Sequence, residues 1–349
     1  MDHLNLSKTK SAAAGLIVPY FLILLVAIGG CKKSSPSPKS NVDVYIAGTI
    51  IGSNGLSVAT VWKNGVAIKL GDGSANSFAN GIVVSNDDIY VAGSVDYQAA
   101  YWKNGILTKL GYYPWESSAS GIAVKNGDIY ISGYTTTTAA EAVATYWKND
   151  IVHRIAADTT LSTYGTSIAI NGSDIYVAGW SNSDRADEIT FPLYWKNGSE
   201  TSLTRLSKHN NSTGSILINN NDVYIAGATT DTSLITRYLS KAAIWKNGVL
   251  QILPSGGDFA EAHSLVLSGS DIYVVGGIVN DAVYWKNGIA KTLATGTPPK
   301  LTYVGAIALN GQDVYIAGTL NGQAVYWKND VLMQLAPNGT ATGIVVIPH

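Results

Sequence analysis

The 349-residue chain predicts an all-β fold, a seven-bladed β-propeller of four-stranded blades, across residues 42–349. Three observations predict it. A Trp-Lys-Asn-(Gly/Asp) segment occurs seven times, led by Trp62, Trp102, Trp147, Trp195, Trp245, Trp285 and Trp327. Each is preceded by Asp-(Ile/Val)-Tyr-(Ile/Val)-(Ala/Ser/Val)-Gly, beginning at Asp43, Asp88, Asp128, Asp174, Asp222, Asp271 and Asp313. The spacings between these aspartates are 45, 40, 46, 48, 49 and 42 residues and contain only strand-type segments. That is the period of a radial β-repeat.

Four strands are legible in each repeat. The first is Gly-Ile-Val-Val at 81–84, echoed at 121–124, 167–170, 215–218, 264–267 and 306–309, each seven residues before its Asp. The Asp-Ile-Tyr-Val segment is the second. The third ends in Trp-Lys, and the fourth is the short apolar run after Asn-Gly, as in Ile106 to Leu110. Asn-Gly between two strand patterns is a hairpin signal, because a type I′ turn needs positive φ at both central residues. Asn149-Asp150 and Asn329-Asp330 are expected to adopt the same geometry. Both strand faces are apolar, as blades stacked between blades require. The repeated Asp and Lys fall on one face and are expected to pair across strands; the seven tryptophans are expected to pack between blades.

The ends of the repeat predict how the ring closes. No Gly-Ile-x-Val strand precedes Asp43, whereas Gly343-Ile344-Val345-Val346 has no Asp after it. The C-terminal strand is therefore expected to complete blade 1, leaving no free sheet edge.

Ahead of the repeat, Lys8 and Lys10 precede an apolar run from Leu16 to Ile28, and Ile28-Gly29-Gly30-Cys31 resembles the bacterial lipobox. The resemblance implies a signal peptide over 1–30 and a lipidated Cys31 carrying several acyl chains, palmitate among them; one chain alone anchors only marginally. An uncleaved membrane anchor over Ser11 to Gly30 is the alternative, weakened by Pro19 and the paired glycines. Lys32 to Asn41 is a Ser/Pro/Lys tether reaching about 35 Å when extended. Lys32-Lys33 lacks the Asp that retains lipoproteins in the inner membrane of enterobacteria. The expected location is the bacterial outer membrane, on its periplasmic or surface side, with the lipid as membrane partner.

Composition narrows the partners. The formal net charge is −1 and no basic stripe stands out, which argues against nucleic acid. Cys31 is the sole cysteine, so no disulfide forms within one chain. The chain has no GxSxG, HExxH, P-loop or dinucleotide fingerprint. His3, His153, His209, His263 and His349 show no metal-ligand spacing, and Gly71-Asp72-Gly73 reads as a turn rather than a calcium loop. No cofactor or metal is expected, and the chain is expected to be monomeric.

The repeat predicts which face works. Turns 1–2 and 3–4 of each blade lie on one face and are short, while loops 2–3 and 4–1 lie on the other and vary. Asp-to-Trp distances run 19, 14, 19, 21, 23, 14 and 14 residues across the blades. Variable loops on a rigid scaffold are where binding concentrates. Candidate ligand-binding residues there are Tyr112, Tyr113, Trp115, Trp180, Asp184, Arg185, Tyr238, Glu261 and His263, with Glu116, Asp187, Glu188, His209, Asp231, Arg237, Asp258 and Phe259 nearby. Trp115 and Trp180 are the two tryptophans outside the repeat position. Aromatic planes beside carboxylates and Arg suit carbohydrate or an envelope protein. The alternatives are a propeller glycosidase or lyase using acids among Asp184, Asp187, Glu188, Asp258 and Glu261, and a purely structural envelope protein.

The order of strand, Gly, Tyr-Trp and Asn-Gly over nearly all of 42–349 resembles the bacterial extracellular HAF-type repeat. It is more similar to the propeller lipoproteins of the Bacteroidetes kind that carry YWKNG repeats. Kelch is a distant likeness, through the Gly276-Gly277 doublet alone. The resemblance implies the fold and an envelope location, and no assigned activity.

Overall fold

The computed structural model describes residues 42–111, 116–137, 141–156, 161–184, 189–233, 239–300 and 302–349, with side chains 183 and 184 outside the description. These residues form seven four-stranded antiparallel sheets. Blade 1 contains β1 (Val42–Ile51), β2 (Ser57–Lys63) and β3 (Val66–Lys69). Its innermost strand is the last one in the chain, β28 (Gly339–Pro348), which sets Ile344 opposite Ile46 and Val346 opposite Val44. The ring closes as the repeat predicts.

The other blades follow in order. Blade 2 runs from β4 (Ser77–Ser85) to β7 (Ile106–Lys109), and blade 3 from β8 (Ser117–Lys125) to β11 (Ile151–Arg154). Blade 4 runs from β12 (Ser162–Asn171) to β15 (Ser199–Ser202), and blade 5 from β16 (Ser212–Asn219) to β19 (Val249–Ile252). Blade 6 spans β20 (Ala260–Ser268) to β23 (Ile289–Thr295), and blade 7 spans β24 (Tyr303–Asn310) to β27 (Val331–Ala336).

Each inner strand is longer than its Gly-Ile-x-Val segment suggests; β4 starts at Ser77 rather than Gly81. The added half is set off by a bulge in every inner strand. Alternation of side chains breaks at a bulge, which hides the first half of the strand from a period-two reading. The bulge also accounts for the repeated Gly of strand 2. A Cβ on Gly48, Gly93, Gly133, Gly179, Gly227, Gly276 or Gly318 would collide with an inner-strand carbonyl oxygen of its own blade. At Gly179 and Gly227 it would also come within 2.7 and 2.9 Å of the ring carbon Cζ3 of Trp195 and Trp245.

The seven repeat tryptophans are the largest fully buried side chains. Each packs on the preceding blade: Trp102 against Ala47, Ala59 and Val61 of blade 1, and Trp62 against Tyr315, Ala317 and Ala324 of blade 7. All seven blade interfaces hold one such apolar cluster. Truncating a buried Trp to Ala typically costs about 3–5 kcal/mol, so these seams dominate stability.

A polar clasp repeats at the other end of strands 2 and 3. The Lys ammonium lies 2.8–3.3 Å from its Asp in every blade, Asp43–Lys63 through Asp313–Lys328. It also sits 4.9–5.3 Å from the centroid of the Tyr ring. The turn Asn donates from Nδ2 to the same Asp at 2.6–2.8 Å. Its Oδ1 accepts from the strand-2 amide after that Asp at 2.8–2.9 Å. Lys63 and Asn64 hold the Asp43 carboxyl down to about 2. Because the lysines are about half exposed, the ion pairs add little energy; the clasp fixes turn geometry and register. Asn149 and Asp150 take φ of 48° and 68°, and Asn329 and Asp330 of 48° and 70°, as expected of the Asn-Gly equivalents.

Deleting residues 342–349 is expected to open the ring, exposing Trp62 and costing roughly 3 kcal/mol or more in lost burial. A thermal melt checks this; an unchanged transition would contradict closure by β28.

Candidate functional site

Antiparallel geometry places the short 1–2 and 3–4 turns on one face and the 2–3 and 4–1 connections on the other. The 2–3 connection is a two-residue turn in blades 2, 6 and 7 and longer in blades 1, 3, 4 and 5. On this loop face a pocket of about 360 Å³ is bordered by blades 4, 5 and 6. Trp180 of β13 (Asp174–Asp184) stands on one side, with Phe259 and Glu261 at the start of blade 6 also in the lining.

Asn211, buried in the linker before β16, builds the pocket wall. Its Nδ2 donates to the carbonyls of Thr190, Ser207 and His209 at 3.0, 3.0 and 3.1 Å, and its Oδ1 accepts from Thr229 Oγ1 at 2.7 Å. Thr230 Oγ1 donates to the Asn210 carbonyl at 2.9 Å. Ser240 also lines the pocket; it is 6% exposed, and among the described residues its Oγ has no hydrogen-bond partner. A buried hydroxyl without a partner costs about 1–3 kcal/mol.

Aromatic contacts lead away from Trp180. Tyr164 stacks on it with centroids 4.3 Å apart, and Tyr134 meets Tyr164 edge-on at 5.1 Å. Tyr134 Oη donates to Glu116 Oε1 at 2.8 Å; burial and that carboxylate push the phenol upward. Tyr134 and Glu116 belong to a second loop-face pocket, about 260 Å³, with Phe78, Tyr97, Asn76, Ser94, Ser117 and Ser118.

At the axis is a cavity of about 470 Å³, lined by inner-strand residues from all seven blades. The residues at the bulges are Asn80, Ser120, Thr166, Gly214, His263, Gly305 and Thr342. Four hand a hydrogen bond to a carbonyl of the next blade. Asn80 Nδ2 donates to Ala119 at 2.8 Å, Thr166 Oγ1 to Gly214 at 3.0 Å, His263 Nδ1 to Val304 at 2.7 Å, and Thr342 Oγ1 to Ala79 at 2.7 Å. The His263 bond puts its proton on Nδ1. Its Nε2 lies 3.6 Å from Glu261, and its ring packs 4.4 Å from Tyr303, whose phenol is pushed up to about 12 by burial and by Glu261. These bonds seal one blade to the next, so His263 has a structural role at the axis.

Of the residues expected at the site, Trp180 and Glu261 line one pocket, with Phe259 beside them. Asp184 ends β13. Tyr112, Tyr113, Trp115, Arg185, Asp187, Glu188, Arg237 and Tyr238 lie outside the described residues. Asp231 Oδ1 accepts from the Ser233 amide at 2.9 Å, and His209 forms a β-bridge with Ile189. The sequence reading missed Phe78, Tyr97, Tyr134 and Tyr164. A signal was present: the residue after the strand-2 Gly is Thr49, Ser94, Ala228, Gly277 and Thr319 in five repeats but Tyr134 and Trp180 in blades 3 and 4. Among the described residues no three His, Cys, Asp or Glu side chains gather as a metal ion would require.

No family model and no curated protein matches the chain. Among solved structures it is similar to a Mycobacterium tuberculosis puromycin-hydrolyzing peptidase, at 12% identity and TM-score 0.54 over 84% of this chain and 52% of that one. Weaker likenesses are to Pyrococcus horikoshii acylaminoacyl peptidase (12%, TM-score 0.47, 85% and 50%) and to the β-propeller domain of the Trilobed protease from Pyrococcus furiosus (12%, 0.47, 86% and 95%). The chain spans about half the length of the two peptidases. At this identity the likeness is one of fold.

Proposed function

We propose that the protein is a lipid-anchored, extracytoplasmic carbohydrate-binding propeller that takes its ligand on the loop face. The observation that carries this is the pocket where Trp180 and Phe259 share a lining with Glu261, Asn210 and Thr230. Aromatic planes pack on the C–H faces of a sugar ring while a carboxylate, amides and hydroxyls take its hydroxyl groups. Among the described lining residues Glu261 supplies a carboxylate, placed to accept hydrogen bonds from sugar hydroxyls. Anchoring rests on the Ile28-Gly29-Gly30-Cys31 lipobox and the tether behind it.

On a glycan array the purified protein is expected to bind a subset of neutral glycans, and Trp180→Ala to weaken that binding about tenfold at an unchanged melting temperature. Silence across the array would contradict the carbohydrate reading and direct the search to envelope proteins. For the anchor, Cys31→Ser is expected to abolish incorporation of labelled palmitate and release the protein from the membrane fraction. Label retained in that variant would refute lipidation at Cys31.

A further inference from the structure

Ring contacts lead from the pocket at Trp180 to the second loop-face pocket. Trp180 stacks on Tyr164, Tyr164 meets Tyr134, and Tyr134 lines the second pocket with Phe78, Tyr97 and Glu116. The two pockets share one chemistry. Among the described residues each has exposed aromatic surface (Phe78 and Tyr97 in one, Phe259 in the other), small hydroxyl and amide side chains, and one charged lining group, a glutamate.

A separate observation concerns the two-residue 2–3 turns beside them. Tyr97 has φ of 60° and is 68% exposed; Val279 has φ of 55° and is 56% exposed. Left-handed backbone is costly for an aromatic or β-branched residue. The equivalent turn in blade 7 is Asn321-Gly322, with positive φ at both residues as at Asp96-Tyr97, and it adopts this geometry readily. Blades 2 and 6 thus hold outward apolar side chains in strained turns that a simpler sequence would relax. The Tyr97 carbonyl anchors the Ser117 amide at 2.9 Å, and the Val279 amide donates to the Phe259 carbonyl at 2.9 Å. Each strained turn is therefore tied to a lining residue of its pocket.

We propose that the loop face holds one linear polysaccharide chain across blades 2 to 6, seated in both pockets and bridged by Tyr134, Tyr164 and Trp180. This rests on the carbohydrate reading and adds the ligand's shape and class. The class is a neutral, β-1,4-linked chain of hexose or N-acetylhexosamine units. Equatorial linkage keeps the chain extended and presents flat C–H faces to successive rings. Glu116 and Glu261 accept from hydroxyls or amides and repel uronate or sulfated chains. Once one pocket is occupied, the second binds at high effective concentration, so affinity rises with length until both are filled.

Calorimetric titration of the purified protein with cello- and chito-oligosaccharides, from disaccharide to octasaccharide, tests this. Affinity in at least one series is expected to rise more than about tenfold with length and then level off. Phe78→Ala should reduce long-chain affinity to the short-chain value while leaving short-chain binding at the Trp180 pocket intact. Tyr97→Gly should do the same while raising the melting temperature, since it relieves the turn; a purely structural Tyr97 would not lower affinity. Binding that is independent of length, or long-chain affinity unmoved by Phe78→Ala and Tyr97→Gly, overturns the chain proposal and leaves single-pocket binding standing. No binding by either series overturns the chain proposal, and the glycan array separately decides the carbohydrate reading.

Discussion

In each blade the inner strand bulges, and the bulge turns a carbonyl oxygen into the space where the neighbouring strand-2 residue would carry its Cβ. Only glycine fits there. In blades 4, 5 and 7 a ring carbon of the strand-3 tryptophan also lies within 3.1 Å of that spot, and in every blade the tryptophan fills the seam with the preceding blade. Bulge, glycine and tryptophan are one packing unit. With seven copies, the ring has no seam that lacks it, and interiors at this density tolerate little added volume.

This division of labour frees the loop face. The apolar seams supply the stability, the Asp-Lys-Asn clasp sets register at the opposite end of strands 2 and 3, and the bulged residues tie blades together at the axis. The loop ends of the strands are then under few packing demands. Blades 3 and 4 use that latitude to place Tyr134 and Trp180 where other repeats have Thr, Ser, Ala or Gly. Blades 2 and 6 use it to hold Tyr97 and Val279 in turns they would not adopt unaided. Departures from the repeat, rather than the repeat itself, mark the surface with chemistry.

The same distinction explains what could be read from the chain alone. Blade number, strand order, the turns, the Asp–Lys pairs and closure by residues 343–346 were all legible, because each is written seven times or conspicuously missing once. The first half of every inner strand was not, since a bulge interrupts the alternation by which a strand is recognised. The role of the repeated Gly was hidden with it. At the site, Trp180 and Glu261 were picked out from segments read as variable loops, although the structure places both inside strands; Tyr134 and Tyr164, also inside strands, read as core. That His263 faces the axis could not be foreseen, because sequence spacing carries no information about which side of a bulge a side chain takes.

Blade 6 contains the sharpest test of the packing unit, in two adjacent glycines. A Cβ on Gly276 would collide with the Glu261 carbonyl, whereas on Gly277 its nearest neighbour is the Asp281 carbonyl at 3.4 Å, an ordinary contact. Equilibrium unfolding of Gly276→Ala and Gly277→Ala separates them. The account predicts a loss of about 3 kcal/mol or more for Gly276→Ala, or failure to fold, against a change within about 1 kcal/mol for Gly277→Ala. Equal effects of the two substitutions, or a Gly276→Ala protein as stable as the parent, would contradict it.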